Sequence, residues 1–120
     1  MTSNHCLVQL SHESALVIEY DAESTHVSKT VQHHHATHQH GSEVRTEHEF
    51  FGSVCDMLDA FAQVLVLGGH TPIADFHHYV DKHRRQTAAR IVGYDVVDHL
   101  TENQLVAHAR KRFDALERLA

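Results

Sequence analysis

The chain has 120 residues, 42% of them hydrophobic and 22% charged, which is the composition of one globular domain that can bury its own core. Its formal charge of −6 argues against a strongly basic nucleic-acid footprint at neutral pH. The longest apolar run, Val64 to Leu67, is far too short to span a membrane, and the N-terminus lacks the pattern of a secretory signal. A cytoplasmic protein is therefore predicted, in which Cys6 and Cys55 are buried thiols of apolar segments.

The charge is unevenly distributed along the chain. Residues 1–60 hold two basic residues and nine acids, whereas residues 61–120 hold eight basic residues and seven acids. Fifteen histidines add a charge that depends on pH. Exposed imidazoles with a pKa of about 6.5 would turn the net charge from negative to positive between roughly pH 7 and pH 5. A local basic surface in the second half of the chain is therefore compatible with nucleic-acid contact.

The first quarter of the chain contains three runs with the composition of β-strands. They extend from Cys6 to Leu10, from Ala15 to Tyr20 and from His26 to Gln32, and Ser11 to Ser14 has the length of a hairpin loop. The third run holds only two valines, which are too sparse for a central strand. It is therefore predicted to be an edge strand.

A helix is predicted to begin at Thr46, where Glu49 completes a capping box. Apolar residues at helical spacing give this helix one buried face. They are Phe50, Phe51, Val54, Cys55, Leu58 and Phe61. The continuous apolar run from Gln63 to Gly68 is typical of a strand that is buried on both faces.

Two more helices and one more strand complete the pattern. The second helix is predicted to open with Thr71 as its cap and Pro72 at its first position, and a strand region follows from 89 to 97. Thr101 with Gln104 forms the capping box of the last helix. The core stripes of these helices are Ile73, Phe76 and Val80, and Leu105, Ala109, Phe113 and Leu116. The order β-β-β-α-β-α-β-α predicts a single α/β domain over residues 1–120, a mixed β-sheet with three covering helices in a ribonuclease-H-like order.

The most biased segment separates the third predicted strand from the first predicted helix. Five of its eight central residues are the candidate metal ligands His33, His34, His35, His38 and His40. No apolar residue anchors this segment, so residues 33–42 are predicted to form an exposed loop. Three interpretations remain open: a solvated loop that binds metal only weakly, a physiological zinc or nickel site, and a contact with RNA or protein. No cofactor is expected to be required for the fold, since no nearby cysteine completes a structural zinc site.

Seven basic or ionisable residues could contact RNA phosphates. They cluster near the end of the second predicted helix and along the last one, and they are Lys82, Arg84, Arg85, Arg90, His108, Lys111 and Arg112. The alternative is an ordinary solvated face, because Arg110, Asp114 and Arg118 have the spacing of ion pairs along a helix.

The sequence contains no combination of residues with the spacing of a known catalytic motif, so an enzyme is not expected. His48 and Glu49 match the first two positions of the zinc-protease motif His-Glu-x-x-His. Gly52 occupies the position of the second histidine ligand, so the motif is incomplete. The glycine pair at 68–69 lacks the lysine of a phosphate-binding loop. The first predicted strand offers no carboxylate for the magnesium site of a ribonuclease-H-type nuclease.

Three stretches carry a resemblance to a known family: Val64 to Pro72, Ile91 to Asp95 and Thr101 to Arg110. They resemble the middle domain of archaeal and eukaryotic class I release factors and of the ribosome-rescue factor Pelota, with which small bacterial proteins called translational machinery proteins are grouped. The predicted order of elements matches this domain over nearly the whole chain. The resemblance implies a non-catalytic domain that contacts the ribosome or tRNA.

The loop before the long helix decides what the resemblance implies for activity. In release factors this loop carries the Gly-Gly-Gln that triggers peptide release, and its glycines adopt backbone angles that other residues rarely reach. Here Gln39 lies between His38 and His40, without a preceding glycine pair. Peptide release is therefore not expected, as in Pelota, whose middle domain also lacks the motif. The competing hypothesis is a metal-binding or pH-responsive protein in which the histidine loop acts alone.

Overall fold

The computed structural model describes residues 5–12, 14–20, 25–32 and 42–119. Histidines 33–40, predicted as metal ligands, lie outside the described residues. Ser42, predicted as the last residue of the loop, is instead the first residue of a helix.

The elements confirm the predicted order, with one short helix added before the last strand. They are β1 (His5–Leu10), β2 (Ser14–Tyr20), β3 (Thr25–Gln32), α1 (Ser42–Leu58), β4 (Gln63–Gly68), α2 (His70–His83), α3 (Arg85–Ala88), β5 (Ile91–Val96) and α4 (Glu102–Leu119). Of the helices that the structure describes, none has the length and apolar character needed to cross a bilayer.

The five strands form one mixed sheet in the order β3-β2-β1-β4-β5. β1 pairs antiparallel with β2, which pairs antiparallel with β3, whereas β1–β4 and β4–β5 are parallel pairs. Leu7 of β1 lies beside Ile18 of β2 and Leu65 of β4, which fixes the register at the centre of the sheet. The α/β fold class is confirmed, and β3 is the edge strand that the sequence predicts.

Successive side chains of the central strands point into two separate cores, because side chains alternate between the faces of a strand. Val8, Val64 and Val66 contribute to the core covered by α1 and α2. Leu7 and Leu65 contribute to the core covered by α4. Both faces are therefore buried, which explains why β1 and β4 are continuous apolar runs.

Both cysteines are free and buried, as the sequence predicts. Burial is the main cause that raises the pKa of the Cys55 thiol, to about 11, and burial also raises the pKa of Cys6. Both thiols are therefore protonated at neutral pH and act as small apolar groups in the core.

Three predicted helix boundaries are wrong: both ends of α1 and the start of α2. α1 begins at Ser42, four residues before Thr46, because no glycine or proline between these positions interrupts the helix. α1 also ends at Leu58, and Phe61 packs against the core from the turn that follows. The Phe61 amide donates to the Leu58 carbonyl oxygen at 3.0 Å in this turn.

α2 begins at His70 with Gly69 as its N-cap, so Thr71 is not the cap. Pro72 remains compatible with this start, since the amides of the first helical turn have no partner within the helix. The capping box of α4 is confirmed. The Thr101 amide donates to the Gln104 side-chain oxygen at 2.9 Å, and the Gln104 amide donates to the Thr101 hydroxyl at 3.3 Å.

A buried glutamine joins β1 to the loop before α4. Gln9 is only 8% exposed, and its side-chain amide donates to the Leu100 carbonyl oxygen at 3.2 Å. The Leu100 amide donates back to the Gln9 side-chain oxygen at 2.9 Å. Both hydrogen-bonding groups of this side chain are thereby satisfied, and the start of α4 is fixed against the sheet.

Replacing Gly68 by alanine should destabilise the fold by about 1–3 kcal/mol, the usual cost of overpacking. A β-carbon at Gly68 would lie 2.5 Å from the backbone oxygen of Leu10, so β1 and β4 would have to separate. Gly69→Ala is the matched control, because its nearest neighbour would be Pro72 at an ordinary 3.6 Å. Urea unfolding of both variants measures the difference, and equal midpoints would contradict the steric explanation.

Candidate nucleic-acid interface

The sheet divides the seven predicted RNA-binding residues into two groups. Lys82, Arg84, Arg85 and Arg90 lie around the end of α2, α3 and the start of β5, and α2 packs in the core shared with α1. His108, Lys111 and Arg112 lie on α4, which packs in the core on the other face of the sheet. The two basic patches that the sequence predicts therefore lie on opposite faces of the sheet.

Arg84 connects the junction of α2 and α3 to the end of α1. Its Nη2 donates to Asp56 Oδ1 at 2.7 Å and to Asp59 Oδ2 at 3.1 Å. The Thr87 hydroxyl donates to the other Asp59 oxygen at 2.6 Å. The hydrogen bond to Asp56 is the main cause that raises the pKa of Arg84. The charge of Arg84 is thus compensated within the fold.

Arg90 has a similar structural contact at the start of β5. Its Nη1 donates to the Phe61 carbonyl oxygen at 2.9 Å. Its buried Nε lies 3.8 Å from Asp59 Oδ1, beyond hydrogen-bond distance. Arg90 therefore joins β5 to the turn after α1. Part of its guanidinium is occupied by these contacts, and only the remainder can bind an external partner.

Asp95 of β5 binds two residues of α4. Its Oδ2 accepts from Arg112 Nε at 2.7 Å and lies 2.8 Å from His108 Nε2. Burial raises the pKa of Asp95, but the hydrogen bonds from Arg112 and His108 outweigh burial and bring the pKa below its ordinary value. Gly93 leaves room for the guanidinium, since a β-carbon there would lie 2.7 Å from Arg112 Nη2.

Sequence reasoning missed Asp95, although a signal for it was present. His108 and Arg112 are four residues apart and so share one face of α4. Asp95 is a charged residue in an otherwise apolar strand region. A charged group at such a place is costly unless it is hydrogen-bonded, so a polar partner on the covering helix could be expected. Which residues of α4 contact Asp95 depends on how α4 docks on β5, and no local sequence pattern determines this docking.

Lys82, Arg85 and Lys111 keep their charge available. All three are exposed, and within the described part of the chain their side chains form no ion pair or hydrogen bond. Lys82 lies in the last turn of α2, Arg85 opens α3, and Lys111 lies on the outer face of α4. These three residues are the geometrically suitable candidates for phosphate contacts among the seven that the sequence predicts.

A cavity of about 400 Å³ lies at the carboxyl ends of β1, β4 and β5. Three histidines line it, His12, His70 and His99, beside the turn formed by Gly68 and Gly69. These three histidines do not form a metal site: the described residues contain no group of three or more His, Cys, Asp or Glu that could hold a metal ion.

No protein-family model matches the chain, and no curated protein matches it. Among solved structures, Archaeoglobus fulgidus Pelota superposes with a TM-score of 0.64 at 16% identity over 91% of this chain. The chain has the fold of a Pelota domain. Thermoplasma acidophilum Pelota gives a TM-score of 0.61 at 13% identity over 84% of the chain, and the archaeal translation termination factor aRF1 gives 0.57 at 13% over 96%.

The chain spans about a third of the length of these structures, 31% and 30% of the two Pelota chains and 40% of aRF1. The family resemblance predicted from the sequence is therefore confirmed at the level of the fold of one domain. At identities of 13% to 16%, the likeness concerns the fold alone and does not transfer a function.

Arg84→Ala should destabilise the fold by roughly 1–3 kcal/mol, because Asp56 and Asp59 lose their hydrogen-bonded partner. Arg85→Ala is the matched control at the next residue and should change stability by less than about 0.5 kcal/mol, since its exposed side chain has no described partner. Chemical denaturation measures both. Equal stability of the two variants would show that the Arg84 contacts contribute nothing.

Asp95→Asn should destabilise the protein near neutral pH by about 1–2 kcal/mol, because the charged hydrogen bonds to Arg112 and His108 weaken. The folded-state pKa of Asp95 is lowered, so its stabilising effect is complete above the unfolded pKa of about 3.9 and disappears as the pH falls through the folded value. Unfolding of wild type and variant from pH 7 to 2 should therefore converge in acid. Asp98→Asn, at an exposed aspartate, is the control and should change stability at neutral pH by less than about 0.5 kcal/mol.

Proposed function

We propose that this chain is a non-catalytic domain of the translation machinery that contacts the ribosome or tRNA. The observation that carries the proposal is the fold shared with Archaeoglobus fulgidus Pelota over 91% of the chain, supported by the likeness to the translation termination factor aRF1. In this proposal the protein works in the cytoplasm, and residues 1–120 act as one domain.

Exposed positive charges on α2, α3 and α4 support contact with RNA. Lys82 and Arg85 on one side of the sheet and Lys111 on the other are exposed, and among the described residues their side chains form no ion pair or hydrogen bond. The four remaining predicted residues act mainly by holding the elements in place, and they contribute to the surface potential. Because the groups are separated by the sheet, each can be tested independently.

The proposed role excludes peptide release. The segment between β3 and α1 occupies the chain position where release factors carry their Gly-Gly-Gln, and it contains five histidines instead. The sequence has no glycine pair before Gln39, and glycine is the residue that readily adopts the backbone angles of such a motif. The domain would thus bind without catalysing hydrolysis.

The histidine segment supports a second candidate, a zinc- or nickel-binding or pH-responsive protein. Its specific observation is the density of five imidazoles in eight residues, since imidazoles bind transition metals and titrate near neutral pH. In this alternative the ligands are His33, His34, His35, His38 and His40, and the folded domain serves as their scaffold.

Co-sedimentation with ribosomes tests the proposal. Binding should weaken as salt rises, because phosphate contacts release counterions. Lys82→Glu with Arg85→Glu, and separately Lys111→Glu, should each weaken binding and flatten its salt dependence by about one unit of slope per lost contact. Arg110→Glu is the control, since it reverses the same charge beside Lys111 outside the proposed set.

The outcome separates the two candidates. Absence of pelleting at low salt would contradict the ribosomal role. If His33, His34 and His35 replaced together by alanine abolish zinc or nickel binding of micromolar or better affinity in calorimetry, the metal-binding candidate is favoured. Peptidyl-tRNA hydrolysis above background that is lost in Gln39→Ala would contradict the absence of release activity.

A further inference from the structure

Three aromatic rings form a cluster on the outer surface between α1 and α2. The ring centroids of His48 and Tyr79 are 5.1 Å apart, those of Tyr79 and His83 are 5.1 Å apart, and those of His48 and His83 are 5.4 Å apart. We call His48, Tyr79 and His83 the ring cluster. Neither the predicted core nor the predicted RNA-binding set contains these three residues.

Packing of the core accounts for Tyr79 only in part: Tyr79 packs against the core, but its ring also contacts two exposed imidazoles. Phe51 lies beneath Tyr79 with centroids 5.4 Å apart, and it contacts Phe76 at 5.3 Å, so the helix interface is already filled by buried phenylalanines. His48 and His83 are exposed, and Tyr79 is half-buried. All three rings are thus at least partly accessible to solvent. Hydrophobic stabilisation is proportional to the area removed from water, so contacts between these rings contribute little to the stability of the fold.

The ring cluster borders a cavity of about 170 Å³. Sites for drug-sized ligands measure about 300–1,000 Å³, so this cavity suits a single small planar ring system. A metal ion does not fit, because the described residues offer no group of three or more ligands of suitable type. The cavity is also lined by Lys82 and by the carboxylates of Glu47 and Asp75.

The chemistry of this lining fits a nucleobase. Histidine and tyrosine rings stack on unpaired bases in single-stranded nucleic acids. Carboxylates repel phosphate but accept hydrogen bonds from an exocyclic amino group, as on cytosine. The free ammonium of Lys82 can contact the phosphate that follows the base.

We infer that the ring cluster, with Glu47, Asp75 and Lys82, is a stacking site for one unpaired, amino-bearing base of a single-stranded RNA. This inference deepens the proposed function, on which it rests for the class of partner. It also gives Lys82 a defined place, at the rim of the cavity, instead of a general contribution to a basic surface.

The ring cluster lies on two helices that pack against each other. Its rings come from two helices, and Arg84 joins these helices through Asp56 and Asp59. A contact site on packed helices loses less conformational entropy on binding than a site on a loop. Binding of a base should therefore require little rearrangement of α1 or α2.

Fluorescence anisotropy with three labelled eight-unit RNAs tests the inference on the full chain: oligocytidine, oligouridine and an abasic ribose-phosphate oligomer. Oligocytidine should bind at least about fivefold more tightly than the abasic oligomer, the lower end of what stacking of one base contributes. Oligouridine should lie between them, because it stacks but lacks the amino group. Equal affinity for all three would overturn the inference without any variant.

Variants locate the effect. His48→Ala with His83→Ala should reduce the affinity for oligocytidine to that for the abasic oligomer, whereas His70→Ala with His99→Ala, an equal loss of exposed imidazoles elsewhere, should leave it unchanged. Tyr79→Phe should retain binding, since it keeps the ring. Asp75→Asn should reduce the preference for cytosine over uracil. Equal losses in both histidine pairs would overturn the assignment.

The result is separable from that of the ribosome assay. Pelleting of wild type with ribosomes but no preference among the three oligomers would reject the stacking site and leave the proposed function standing. Preference for oligocytidine without ribosome binding would reject the ribosomal role and keep the site. Circular dichroism of each variant confirms that it is folded.

Discussion

Burial of β1 and β4 on both faces is the constraint on which the remaining structure depends. Each strand carries apolar side chains in alternating directions, so two cores must form, one under α1 and α2 and one under α4. The helices that cover these cores carry the basic residues, which are consequently divided between opposite sides of the sheet. Burial of both faces of β1 and β4 thus determines how the basic residues are distributed over the surface.

Polar contacts at the borders of the two cores fix the helices in position. Gln9 holds the loop before α4, and Arg84 connects α1 with the junction of α2 and α3. Asp95 binds α4 through Arg112 and His108. Each of these contacts satisfies a group that would be costly to leave unpaired at such a place. Several residues that look like a nucleic-acid surface in the sequence therefore serve the fold first.

The likeness to Pelota and aRF1 concerns this arrangement of strands and helices, and the side chains on it are largely different. A shared scaffold does not by itself transfer an activity, because activity depends on the groups displayed at particular places. In this chain the described surface carries free lysine and arginine side chains and two exposed imidazoles beside the half-buried Tyr79, and the sequence between β3 and α1 contains five histidines. The proposed function assigns contact with RNA to these groups.

The sequence by itself determined the order of the elements, the edge position of β3, the buried stripe Ile73, Phe76 and Val80, and the capping box of Thr101, because each follows from a local period or a local hydrogen bond. It misplaced the starts of α1 and α2, since several nearby residues can begin a helix and packing selects among them. Only the tertiary structure decided that Arg84 and Arg112 are paired while Lys82 and Arg85 are free, and that His48, Tyr79 and His83 meet. These contacts join residues far apart in the chain, and their geometry depends on how helices dock on the sheet.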